Sequence, residues 1–305
     1  MNINHWIYAI RIHTLPLSIS GVTSSYFLSI NKYNINIYHC TVTYILCVFT
    51  CLSLQVLSNL SNDYGDSILE RYLKEDLNQK KAVQRGLISL MKMKRAIYLF
   101  SILSFCFGLI LIYRNFFPKE KIIFFIYLVG LFSCIYSSIG YSIGEQSYGR
   151  MGLGDLFVLV FFGFFSVLGS FFLYTNIFPK IDMFILSLSI GLLNVAVLNL
   201  NNMRDIDMDY KNGKKTIPVF IGIKYAKLYH VGILLVSNLL GLIFLYFNNK
   251  NIYEWIFILC IFLFFIFHMK NILFIEEKNI LISELKKLIF ISFLYSVGLT
   301  TSICL

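Results

Sequence analysis

Charge is scarce in this chain. Asp, Glu, Lys and Arg make up 14% of its 305 residues and only 16 are acidic, whereas 58% are apolar and 17% aromatic. A soluble domain needs more polar surface than that, so a water-soluble fold is excluded. Proline is rare, with four in the whole sequence, and no Pro-rich or Ser-rich stretch marks a linker. The seven cysteines, at 40, 47, 51, 106, 134, 260 and 304, form no C-x-x-C. That removes the common zinc and dithiol patterns and leaves them as small packing residues. There is no P-loop and no dinucleotide-binding glycine fingerprint, and His5, His39, His230 and His268 lack ligand spacing.

What the chain does have is long apolar runs. Nine are near the roughly 18 to 20 residues that cross a hydrocarbon core of about 30 Å: 12–30, 40–59, 96–113, 122–140, 155–174, 181–200, 228–247, 253–269 and 287–304. The first is the weakest, because Thr14, Pro16, Ser18, Ser20 and Ser24 make it polar. The start lacks a clear secretory leader, so the amino terminus is expected to be retained. With residues 1–11 in the cytoplasm, 20 of the 26 Lys and Arg fall on the cytoplasmic side and 6 outside, as the positive-inside rule requires. The net charge of +10 is explained by this topology and by an anionic substrate, not by nucleic acid. The expectation is an all-α polytopic membrane protein, a single domain over 1–305.

Two acidic clusters stand where apolar runs stop: Asn62-Asp63-Tyr64-Gly65-Asp66 with Glu70, and Asn202-Met203-Arg204-Asp205 with Asp207 and Asp209. Carboxylates at a membrane boundary are hard to desolvate, so clusters from distant segments point to a shared divalent cation, and with it to phosphate. Asp63 and Asp66 share a helix face, with Glu70 four residues on, and Asp205 and Asp209 repeat that spacing. Taken one at a time, such acids are as readily solvated helix ends. An internal echo strengthens the pairing. Asn59-Leu60-Ser61-Asn62 matches Asn199-Leu200-Asn201-Asn202 at an offset of 140, which fits two pseudo-repeated halves with polar loops at 61–95 and 201–227.

The surroundings suit an anion. Arg204, Lys214, Lys215, Lys80, Lys81 and Arg85 lie beside the clusters and can neutralise a leaving diphosphate. Arg11 sits at the mouth of the first run. The amides Asn59, Asn62, Asn201 and Asn202 can bind metal or diphosphate or join helices, and helix packing is the expected role of Gln55 and Asn194. Tyr64, Tyr136, Tyr141 and Tyr148 can wall an aromatic or carbocation site or anchor at the interface. Gly144, Gly149, Gly152 and Gly154 mark a glycine-rich loop.

With these residues in view, the chain resembles the UbiA-type intramembrane prenyltransferases, and within them the branch acting on 1,4-dihydroxy-2-naphthoate. The resemblance runs through Arg11-Ile12-His13-Thr14-Leu15-Pro16, Asn59 to Asp66, Ala82 to Ser89, Tyr148-Gly149-Arg150-Met151-Gly152-Leu153-Gly154-Asp155, and Asn201 to Asp209 continuing into Asn212-Gly213-Lys214-Lys215-Thr216. It implies nine transmembrane helices around a central cavity facing the cytoplasm of a bacterial inner membrane. It implies that Asp63, Asp66, Asp205 and Asp209 hold Mg²⁺ and a polyprenyl diphosphate, with Glu70 a further metal candidate. Arg204 and Lys214 are then catalytic, and Arg11, Lys81, Lys215, Tyr141, Asn59, Asn62, Asn201 and Asn202 bind substrate. The implied reaction transfers the prenyl chain to the naphthoate with loss of CO₂ and diphosphate, giving demethylmenaquinone. A sister enzyme with 4-hydroxybenzoate or haem as acceptor is the nearest alternative. A cation-coupled transporter is further off, because its acids belong near mid-span.

Overall fold

The structure is a computed structural model describing residues 2–33, 35–69, 81–144, 147–248, 251–275 and 278–301. Within them the chain is helical, with no strand. In chain order the helices are α1 (Ile3–Ile10), α2 (Leu15–Tyr33), α3 (Ile37–Leu69), α4 (Leu90–Phe116), α5 (Lys121–Gly140), α6 (Gly154–Val158), α7 (Ser170–Thr175), α8 (Ile181–Arg204), α9 (Ile206–Lys211), α10 (Ile217–Phe247), α11 (Ile252–Phe274) and α12 (Lys278–Gly298). A π-helical stretch, Leu159–Gly169, joins α6 to α7.

Helix lies within each of the nine expected runs, in the last of them as far as Gly298, but only seven helices among the described residues are long and apolar enough to span a bilayer. Leu15–Tyr33 and Lys278–Gly298 are outside that set. The first carries serines and threonines along its length, and the second carries Glu284, Lys286 and Lys287. The seven spans make this an integral membrane protein.

The chain divides into two compact units. The first comprises residues 1–15, 45–154 and 208–215, and the second 16–44, 155–207 and 216–305. In the first unit α1, the inner part of α3, the 81–89 loop and α4 close over Ala9, Val56, Leu57, Leu60, Ala82, Ile88, Met93 and Ile97. Ser89 caps α4 by accepting from the Lys92 N–H.

The second unit packs α2, the 154–175 segment, α8, α10, α11 and α12 around a larger apolar core. Small residues let the backbones close up, as they do in lipid: a side chain at Gly163 would meet the Ser187 carbonyl at 2.7 Å. The serines of α2 face inward. Ser24 donates to the Ser296 carbonyl (2.7 Å) and Ser25 to the Val167 carbonyl (2.8 Å). Ser189 and Ser237 each donate to the other's carbonyl, at 2.9 and 2.8 Å. A capping box formed by Asn251 and Glu254 starts α11.

Candidate functional site

The site grows from the end of α3, where Asp63 and Asp66 lie one turn apart and are both buried. A buried carboxylate needs hydrogen-bond partners, and these two find different ones. Asp63 accepts backbone N–H bonds from Ala82 (2.9 Å) and Val83 (3.1 Å), so each of its oxygens is tied to the start of the 81–89 loop. Asp66 instead meets two ammonium groups. One is Lys81, which also donates to the Asn62 side-chain oxygen, and the other is Lys214, 2.9 Å from Oδ1.

Lys214 in turn stands 3.3 Å from Oδ1 of Asp209, which is also buried. Acids from the two sequence clusters therefore meet on one lysine inside the first unit. Burial pushes the Lys81 pKa down; Asp66 opposes this, while the like charges of Lys214 and Arg11 add to it.

Local sequence explains this assembly. The end of α9 is closed by Gly213 in the left-handed region (φ 66°), with Gly213 N–H donating to Tyr210 O (3.1 Å) and Lys214 N–H to Asp209 O (2.8 Å). This Schellman closure turns Lys214 back over the helix that bears Asp209. Gly65 sits between the two acids of α3 because a Cβ there would collide with the Ser142 carbonyl. Arg11 ends α1 with a left-handed backbone (φ 55°), a conformation that costs a non-glycine residue about 1 kcal/mol. Asn59 holds that end in place, donating to Ile10 O (2.8 Å) and Thr14 Oγ1 (3.2 Å).

The other expected residues are placed as follows. Arg204 and Asp205, in the second unit at the end of α8, form a two-bond pair at 2.7 and 2.7 Å. The Asn201 carbonyl accepts from Asp205 N–H at 3.1 Å, and Asn202 is half-buried. Tyr141 meets Tyr148 edge to face, centroids 5.3 Å apart, and burial raises the pKa of the Tyr148 hydroxyl, which donates to the Ser137 carbonyl. Lys215 is exposed, its backbone N–H donating to Arg150 O at 2.8 Å. Glu70 and Lys80 lie outside the described residues.

Among the described residues no three His, Cys, Asp or Glu side chains are grouped to hold a metal ion. Of the acids expected to share one, Asp66 and Asp209 share the Lys214 ammonium, Asp63 caps a loop, and Asp205 pairs with Arg204. The donor set still suits a hard divalent cation. Asp66 and Asp209 offer buried carboxylate oxygens, and a positive group already stands between them.

Two features had no sequence signal, because their partners are far apart in the chain. Tyr229 donates to Asp155 at 2.8 Å. His230, His268 and Glu284 form a buried relay, with contacts of 3.1 and 2.7 Å.

Comparison with known proteins brings the same chemistry into view. The model of the UbiA prenyltransferase family matches residues 24–294. A 1,4-dihydroxy-2-naphthoate octaprenyltransferase of Escherichia coli is 34% identical over 255 residues, 83% of this chain and 80% of that protein. The Haemophilus influenzae protein of the same name is 36% identical over 243 residues, 78% of this chain and 76% of its own length. Among solved structures, a UbiA homolog from Aeropyrum pernix superposes with a TM-score of 0.64 at 14% identity, covering 98% of this chain and 96% of the other. A homolog from Archaeoglobus fulgidus bound to GPP and Mg²⁺ gives 0.64 at 13% identity, covering 97% and 99%.

Proposed function

The chain belongs to the UbiA prenyltransferase family, and from that premise we propose that it transfers a polyprenyl chain from polyprenyl diphosphate to 1,4-dihydroxy-2-naphthoate. The allylic carbon–oxygen bond breaks, diphosphate leaves, a ring carbon bonds to the prenyl carbon, and the carboxyl group on that ring carbon leaves as CO₂. The product is a prenyl naphthoquinol, the reduced form of demethylmenaquinone and the prenylated intermediate of menaquinone synthesis. The observation that carries this reading is identity of 34 to 36% with two naphthoate octaprenyltransferases over more than three quarters of the chain.

The chain's own residues have definable parts in that chemistry. Lys81 and Lys214 neutralise the diphosphate as negative charge builds on it, with Arg11 reinforcing the local field. Asp66 holds Lys81 and Lys214, Asp209 holds Lys214, and these two acids are the residues that would bind Mg²⁺. When bound, the metal supplies further neutralisation of the leaving group. Asp63 keeps the 81–89 loop, and so Lys81, against α3. Asn62 steadies Lys81 through its side-chain oxygen. The ring faces of Tyr141 and Tyr148 suit a transient carbocation. Asn201, Asn202, Arg204 and Asp205 in the second unit, and Lys215 in the first, are further candidates for binding diphosphate or metal.

The distribution of Lys and Arg favours a site facing the cytoplasm of a bacterial inner membrane. The repeated Asn-rich span ends favour one domain of two related halves.

The deciding experiment incubates membranes carrying the protein with a polyprenyl diphosphate, Mg²⁺ and either 1,4-dihydroxy-2-naphthoate or 4-hydroxybenzoate, then identifies the lipid product by mass. A decarboxylated prenyl naphthoquinol is expected from the first acceptor and no product from the second. Prenylation of 4-hydroxybenzoate alone would overturn the acceptor assignment.

A further inference from the structure

Lys214 reaches two aspartates, yet it belongs to a short turn after a helix of only six residues, Ile206–Lys211. So short a helix is marginal on its own, and contacts from outside add to the Schellman closure in holding the turn. The 147–153 loop grips it at three points. The Arg150 guanidinium donates through Nη2 to the Asn212 carbonyl. The Arg150 carbonyl accepts from Lys215 N–H at 2.8 Å. Gly152, left-handed at φ 82°, brings its bare Cα beneath the Lys215 carbonyl, where a Cβ would approach to 2.6 Å. Asn212 lies two residues before Lys214 and Lys215 one after it, so the turn that carries the lysine is fastened on both sides.

We infer that Arg150 is a positioning residue: by clamping the 212–215 turn it holds Lys214 where it meets Asp66 and Asp209. This rests on the prenyl diphosphate reading for its functional consequence, but not for the clamp itself. The guanidinium suits the role because it keeps its charge and presents planar donors to the carbonyl end of α9, where a helix leaves acceptors unsatisfied. Among the described residues no hydrogen bond or ion pair joins Arg150 to Asp66 or Asp209. Its effect on the diphosphate end of the reaction must pass through Lys214.

A double-mutant cycle with two readouts tests the clamp. Wild type, Arg150→Ala, Arg150→Lys, Lys214→Ala and Arg150→Ala/Lys214→Ala are purified as full chains. Binding of geranyl S-thiolodiphosphate, an unreactive analogue, is measured with Mg²⁺, and KM is measured for each substrate. Arg150→Ala is expected to weaken the analogue and raise KM for the prenyl diphosphate by about tenfold, leaving KM for the naphthoate within about twofold. Arg150→Lys should recover part of that loss. In the Lys214→Ala background, removing Arg150 should change affinity less than about twofold, because the path is already cut.

Equal losses in both backgrounds would show that Arg150 acts independently of Lys214, and equal rises in both KM values would show general damage; either overturns the inference. Hydrogen exchange of the 208–216 backbone, measured without any substrate, separates the clamp from the proposed reaction. It should speed up in Arg150→Ala. Unchanged exchange defeats the clamp whatever the substrate, whereas faster exchange in an enzyme that ignores the analogue defeats only the proposed reaction.

Discussion

Asp63 and Asp66 are three residues apart on one helix, and their surroundings give them different work. Asp63 bonds two backbone amides and Asp66 bonds two ammonium groups. Replacing Asp63 with Ala leaves the Ala82 and Val83 amides without acceptors. We expect a stability loss of about 1–3 kcal/mol, read as a lower midpoint of thermal unfolding in detergent. Replacing Asp66 with Ala should instead cut prenyl transfer by about a hundredfold or more, from the loss of charge organisation around the diphosphate. The variant should still resist alkaline extraction from membranes. Retained turnover in Asp66→Ala would remove that residue from the chemistry. A midpoint unchanged in Asp63→Ala would show that the loop is held by other means.

At the scale of elements, the approach of α3 to the 141–144 turn depends on Gly65. A methyl group in Gly65→Ala would press on the Ser142 backbone, which has no side-chain freedom with which to yield. Overpacking of this kind costs about 1–3 kcal/mol. Because it falls between Asp63 and Asp66, we expect the loss of activity in Gly65→Ala to exceed what the stability change alone predicts, as measured by turnover per folded molecule. Wild-type turnover in that variant would mean that the two elements can separate without harm.

Elements were also where the sequence was most legible. Apolar length located the seven described helices that can span a bilayer, since a spanning segment has few other options in lipid. The polarity of α2 reads differently in three dimensions. Ser24 and Ser25 bond carbonyls of neighbouring helices, which a linear reading scores only as loss of hydrophobicity. Helix α1 carries no span signal at eight residues, and the π-helical stretch at 159–169 has no sequence mark at all. Lys214 was recognisable as a cation beside an acidic cluster. That its partner would be Asp66, some 150 residues earlier, depends on how the chain closes. Arg150 was legible as part of the Tyr148–Asp155 stretch that carries the resemblance, but its role was not, because its acceptor is a main-chain carbonyl.

For the whole molecule, the arrangement of Lys and Arg predicts which side each loop occupies. In a cysteine-free background, a Cys placed at Lys94 should react with an impermeant maleimide from the cytoplasmic side, and one at Lys119 from the opposite side. Reversed labelling would invert the assigned orientation. Chelation of divalent cations should stop transfer, and added Mg²⁺ should restore it.

The lysine between Asp66 and Asp209 gives the chain an internal counter-ion. A newly inserted copy can therefore reach its mature shape before any cargo arrives, because Asp66 and Asp209 already share a cation. Membranes prepared in excess EDTA should then contain protein as resistant to trypsin as untreated membranes, silent but intact. Extensive digestion under those conditions would mean that the ammonium alone does not hold the two loops together.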